Sequence, residues 1–170
     1  MIYIREIMES DLEIINNFRS IRELMDSLLA PFRYINPESD KEWFLAYQAV
    51  RKNNIRCAIC LEETNEVIGV VYLLNIDWIV RTAEFSIFIG DKNMRGKHYG
   101  ERASILMLEH AFKDLNLNRI QLRVLKANTL AIGLYEKLGF RIEGIQRQAA
   151  FKNSSFHDVV IMSILNDEFK

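Results

Sequence analysis

The decisive stretch reads Asp91-Lys92-Asn93-Met94-Arg95-Gly96-Lys97-His98-Tyr99-Gly100-Glu101, a basic loop with two glycines that runs into an amphipathic segment. At a helix start the first backbone N–H groups have no partner within the helix, and the positive end of the helix dipole lies there too. Such a loop reads as a cradle for a phosphate. Alone, it reads equally well as an ordinary glycine loop before a helix. Its weight comes from the chain downstream, where a strand-like run at Arg119–Val124 leads to Asn128-Thr129-Leu130-Ala131-Ile132-Gly133-Leu134-Tyr135-Glu136-Lys137-Leu138-Gly139-Phe140. Asn128 suits a helix N-cap, and Gly139 stands where a helix ending in the left-handed conformation wants glycine.

Working outward, Ile2–Ile7 alternates as a first strand. Ser10-Asp11-Leu12-Glu13 and Ser39-Asp40-Lys41-Glu42 read as capping boxes, the second opening a helix through Trp43, Phe44, Tyr47 and Val50. A helix over Arg22–Leu29 should stop before Pro31. Arg56–Glu62, Val67–Asn75 and Thr82–Ile89 are rich in β-branched and aromatic residues, with Glu63-Thr64-Asn65-Glu66 as the turn between the first two. The spacing predicts a helix over Gly100–Asn116, with Ile105, Leu108, Phe112 and Leu115 on one stripe and Met107 and Ala111 beside it. Arg141–Phe151 and Phe156–Leu165 read as a terminal antiparallel pair. The order β-α-α-α-β-β-β-α-β-α-β-β predicts a single α/β (α+β) domain over 1–170, a mixed, mostly antiparallel sheet of about seven strands flanked by helices.

With 170 residues, 49% of them hydrophobic and 26% charged, the chain can bury a sizeable core. A net charge of −1 offers no bulk attraction to nucleic acid or membrane, and neither is expected as a partner. No basic leader with a long apolar core precedes Ile2, and no uncharged run approaches the ~20 residues that span a bilayer, so a cytoplasmic protein is expected. The two cysteines, Cys57 and Cys60, form a C-x-x-C. No further Cys or His stands at ligand spacing, so no metal is expected; in a strand the two thiols would face opposite sides as reduced core residues.

In this order and at this spacing, the Arg95–Gly100 loop and the Asn128–Phe140 string resemble the acetyl-CoA-binding signatures of the GNAT superfamily of N-acyltransferases. Asn75-Ile76-Asp77-Trp78, Arg81-Thr82-Ala83-Glu84-Phe85 and His157-Asp158-Val159-Val160-Ile161-Met162 are similar to its branch of ribosomal-protein, spermidine and amino-sugar acetyltransferases. The resemblance implies an acetyl-CoA co-substrate whose pyrophosphate meets Arg95, Gly96, Lys97, His98, Tyr99 and Gly100, Arg95 and Lys97 adding charge. It also implies that acetyl-CoA lies along Ile87, Phe88 and Ile89 and beside Asn128 and Ala131. His98 replaces the first glycine of the superfamily pattern, which is tolerable if its backbone stays at negative φ. An extended pantetheine chain needs unpaired strand backbone, so Thr82–Ile89 and Arg119–Val124 are expected to splay apart.

The implied reaction is acetyl transfer to an amine by direct attack in a ternary complex. The resemblance implies Tyr135 as the phenol facing the thioester sulfur, able to protonate the leaving thiolate. Glu84 is the candidate general base, or else a solvated edge charge. His157-Asp158 reads as structural. A CoA-binding pseudo-enzyme, acting as sensor or assembly partner, is the alternative; it would need neither Tyr135 nor Glu84. The acceptor stays open. Arg22–Lys41 mixes Glu23, Asp26, Glu38 and Asp40 with Arg22, Arg33 and Lys41, which argues mildly against a polyamine. Arg33, Tyr34 and Trp43 could meet a nucleotide-linked amino sugar, and a peptide N-terminus is left equally open as acceptor. The oligomeric state is open as well, a homodimer among the options.

Overall fold

Alternating apolar residues and a β-branched-rich middle third resolve, in a computed structural model that describes residues 1–170, into one seven-stranded sheet. The strands are β1 (Ile2–Glu6), β2 (Ile55–Leu61), β3 (Val67–Asp77), β4 (Thr82–Ile89), β5 (Arg119–Leu125), β6 (Arg141–Lys152) and β7 (Ser155–Leu165), in spatial order β1-β2-β3-β4-β5-β7-β6. Every neighbouring pair is antiparallel except β4 and β5, which run parallel. The helices are α1 (Leu12–Arg19), α2 (Arg22–Ser27), α3 (Pro37–Val50), α4 (Tyr99–Glu109) and α5 (Thr129–Lys137). The mixed, mostly antiparallel architecture expected from the sequence is the one found.

The sheet separates two cores. Ala103, Met107 and Leu108 of α4, Ala111 just past its end and Tyr135 of α5 pack on one face with Ile59, Val71, Leu73 and Phe85. Ile15, Phe18, Leu24, Phe44 and Tyr47 of the first three helices pack on the other with Ala58, Cys60 and Val70. Period-two alternation sends Cys57 into the first core and Cys60 into the second. Both thiols are free and buried, and burial pushes Cys57 up to about 12. No cluster of three or more His, Cys, Asp or Glu side chains could hold a metal ion, and no helix is long and apolar enough to cross a membrane.

Two helix starts and the buried line of one helix depart from expectation. Neither serine caps a helix. The Asp11 carboxylate accepts from Met8 N–H and is paired with Arg5, closing a 3₁₀ turn ahead of α1. Asn36 caps α3 by accepting from Ser39 N–H, with Pro37 in the first turn. Of the expected stripe, Leu108 and Phe112 are buried and Ile105 and Leu115 only partly so, while Ala103, Met107 and Ala111 are fully buried, and α4 closes through a π turn at His110–Asp114.

Candidate active site

The parallel pair is where the sheet opens. β4 and β5 are in register only at Thr82–Arg119, Ala83–Ile120 and Glu84–Gln121. Beyond Glu84, β4 continues to Ile89 with β3 on its far side only, while β5 continues to Leu125 with β7 on its far side only. The splay expected from the sequence is present. It leaves a strand edge whose backbone groups are free to bond an extended, amide-bearing ligand.

A cleft of ≈ 340 Å³ lies in this opening. Ile87 and Phe88 line it from β4, Val124 and Leu125 from β5, and Asn128, Ala131 and Tyr135 from α5. Asn128 holds α5 in place twice over: its Oδ1 accepts from Ala131 N–H (3.1 Å), and its Nδ2 donates to the Ser27 carbonyl (3.0 Å), tying α5 to α2. Gly139, at φ +97°, ends the helix as expected.

Tyr135 is buried against Phe85 (ring centroids 6.2 Å) and Phe140 (5.7 Å). Its hydroxyl makes no hydrogen bond within the chain, yet it is not among the sealed, unpartnered polar atoms, so it opens on the cleft. Burial pushes the phenol up to about 12, which keeps it protonated at neutral pH. Glu84 occupies the last paired position before the strands part, facing Leu74 on β3 and Gln121 on β5. It is exposed, has no ion-pair partner, and lines an adjoining cleft of ≈ 380 Å³ that shares Leu74, Phe85, Ser86 and Arg123 with the first. A carboxylate near the cleft without a structural commitment suits proton transfer.

At the N-terminus of α4, no backbone N–H from Gly96 to Glu101 has a partner within the chain. Two residues of the loop, His98 and Arg95, differ from what the sequence predicts. His98 sits in the left-handed region at φ +60°, not at negative φ. Its side chain is exposed and its Nδ1 lies 3.0 Å from Glu101 Oε2, so local turn geometry and a neighbouring carboxylate hold a conformation that glycine would adopt freely. Arg95 is engaged elsewhere: Nε donates to the Ile89 carbonyl (3.0 Å) and Nη2 to the Gly90 carbonyl (3.1 Å), pinning the loop to the end of β4. Lys97 is exposed and pairs with no carboxylate. Tyr99 opens the helix, and a Cβ at Gly100 would meet only Ile89 Cγ1 at 3.7 Å, so the protein's own packing does not require glycine there. Free donors at a helix start, beside a splayed strand edge, fit a pyrophosphate joined to a pantetheine arm.

On the opposite side of the cleft, Trp43 is present as the sequence suggested, but Arg33 and Tyr34 lie in a separate shallow groove with Asn36 and Ser39. The sequence reading missed Arg19, Arg56, Tyr72 and Arg123, all of which line the cleft. Arg56, Tyr72 and Ser86 stand opposite one another across β2, β3 and β4, a row that becomes visible only once the register is known. His157 and Asp158 do not pair: His157 Nε2 lies 2.9 Å from Ser155 Oγ, and Asp158 accepts from Gln148 N–H, a structural role for each.

Comparison with known proteins identifies the family. A family model described as an acetyltransferase (GNAT) domain matches residues 2–141. The spermidine N(1)-acetyltransferase of Vibrio cholerae is 31% identical over 168 residues, covering 98% of this chain and 94% of that protein. The crystal structure of spermidine N-acetyltransferase from Vibrio cholerae in complex with CoA and spermine superposes with a TM-score of 0.92 at 29% identity, covering 98% of this chain and 96% of that one. The spermidine N(1)-acetyltransferase of Escherichia coli K12 is 35% identical over 109 residues, 64% of this chain and 58% of that protein.

Proposed function

The chain belongs to the GNAT acetyltransferase family and is an N-acetyltransferase that uses acetyl-CoA; from that premise, we propose how its residues divide the work. Residues 1–170 act as one catalytic domain. Acetyl-CoA lies in the opening between β4 and β5, its pyrophosphate on the N–H groups of Gly96–Glu101, its pantetheine along Ile87–Ile89, and its thioester near Tyr135. A bound amine attacks directly. Glu84 accepts the amine proton, directly or through one water, and the Tyr135 hydroxyl donates a proton to the departing thiolate. Placing the two on different elements in adjoining clefts suits a single-displacement ternary complex. Free N–H groups along the strand edge are suited to hold the developing oxyanion.

The observation that carries this reading is the splay itself, with a free phenol hydroxyl at its wall and unpartnered N–H groups at its mouth. A CoA-binding sensor with no turnover would need neither the phenol nor the uncommitted carboxylate. The direct test is CoA release from acetyl-CoA over a panel of primary amines, with acetyl-CoA binding measured separately by calorimetry. Binding together with amine-dependent release is expected. Binding without release for any amine would refute the assigned chemistry.

A further inference from the structure

We propose that the acceptor is an amine that also carries an anionic group, a phosphate or a carboxylate, held by Arg56 with Arg19 beside it. This rests on the acetyltransferase reading and names the substrate class for the same site. The polyamine named for the similar Vibrio cholerae enzymes would need the opposite charge in the cleft.

The cleft between β4 and β5 contains three arginines, Arg19, Arg56 and Arg123, and no carboxylate among its lining residues. Their states differ. Arg123 donates to Gln146 Oε1 (3.0 Å). Arg19 is paired with Asp40, a carboxylate 3% exposed that lies behind it, away from the cleft. Arg56 has no ion-pair partner, and its Nε is sealed from solvent without a hydrogen bond, as is Nε of Arg19. The Arg56 guanidinium is held by rings: 4.8 Å from the centroid of Tyr72, 5.0 Å from Trp43 and 5.7 Å from Tyr47.

Burial lowers the Arg56 pKa from its ordinary value, so the fold disfavours the charge it keeps. An unpaired cation in a half-buried site is costly unless an anion compensates it. Nothing in the chain does. The rings orient the guanidinium, and a guanidinium fork can bond a planar or tetrahedral anion in two places. Glu84 is the only carboxylate lining either cleft, so the ammonium end of the acceptor meets it while the anionic end meets Arg56. A polycation would place a second positive charge among the arginines.

The test is steady-state kinetics with matched acceptors: ethanolamine, O-phosphoethanolamine and β-alanine; glucosamine and glucosamine 6-phosphate; and spermidine. In parallel, calorimetry with CoA present measures binding of O-phosphoethanolamine and β-alanine to wild type, Arg56→Met and Arg56→Lys. At least one anionic acceptor should exceed its neutral sibling in kcat/KM by tenfold or more, and spermidine should fall below it. The phosphate and carboxylate arms show which anion the fork takes. Arg56→Met should collapse the ratio toward one and abolish anion binding, with Arg56→Lys intermediate. Best turnover with spermidine, equal turnover of neutral and anionic siblings, or no anion binding to wild type would overturn the proposal while leaving the transferase reading intact. Anion binding lost in Arg56→Met without turnover of any amine would support the anion subsite and defeat the transferase reading.

Discussion

Replacing Tyr135 with Phe removes one oxygen and little else. The ring keeps its contacts with Phe85 and Phe140, and the lost hydroxyl has no hydrogen-bond partner in the fold. Stability should therefore change by no more than about 1 kcal/mol, a Tm shift under about 4 °C for a chain of this size. Acetyl-CoA binding by calorimetry should stay within about twofold, because the cleft wall is otherwise the same. The rate should not survive. A positioned general acid contributes about 10²- to 10⁴-fold, which at about 1.4 kcal/mol per tenfold is roughly 2.7–5.4 kcal/mol of transition-state stabilisation. The kcat of Tyr135→Phe, read by thiol release under saturating acetyl-CoA, should fall by at least a hundredfold. With the phenol pushed up to about 12, the wild-type rate should hold on the alkaline side until about pH 11 rather than failing near 10. A kcat within threefold of wild type would mean that the thiolate leaves unaided and that Tyr135 only shapes the wall.

Glu84→Gln should lower kcat most at neutral pH and recover part of it at high pH, where the amine deprotonates without help; a pH-independent deficit would instead mark Glu84 as a positioning group. Gly100→Val should fold normally, since its new Cβ meets only Ile89 Cγ1 at 3.7 Å, yet raise KM for acetyl-CoA tenfold or more with little change in KM for the amine; unchanged CoA affinity by calorimetry would remove the α4 N-terminus from the phosphate site. Asp11→Asn should cost about 3 kcal/mol, because it strips Arg5 of its bidentate partner at a position 4% exposed, and should be seen as a loss of several degrees in Tm. Burial pushes the Asp11 carboxyl up, but Arg5 and Met8 N–H outweigh it and hold the group below the usual range. The stabilisation is thus full above the ordinary carboxylate pKa and lost as pH falls through the depressed one, a pH dependence that Asp11→Asn should flatten.

Much of this protein is legible in the order of its residues because the relevant physics is local. Period-two alternation marks Thr82–Ile89 as a strand and puts Cys57 and Cys60 in different cores; Asn128 and Gly139 bound α5 because capping and left-handed geometry act within a few residues. The glycine loop before α4 and the Asn128–Phe140 string are contiguous motifs, so their resemblance to acetyl-CoA-binding signatures, and the cofactor site proposed from it, could be read without the fold. What the sequence could not settle depends on who else is near. Ser10 and Ser39 lose their expected caps to Asp11 and Asn36, equally local competitors three residues from the N–H groups they accept from, so the residue types alone left more than one capping choice. Arg95 turns from a phosphate ligand into a brace once the end of β4 presents two carbonyls to it. Arg56, an unremarkable basic residue in a strand, becomes a caged and unpaired cation only when the register of β2 and β3 and the docking of α3 surround it with Tyr72, Trp43 and Tyr47. Local rules decide where helices and strands begin and end; long-range register decides which charges meet, and the charge of the acceptor cleft is a long-range property.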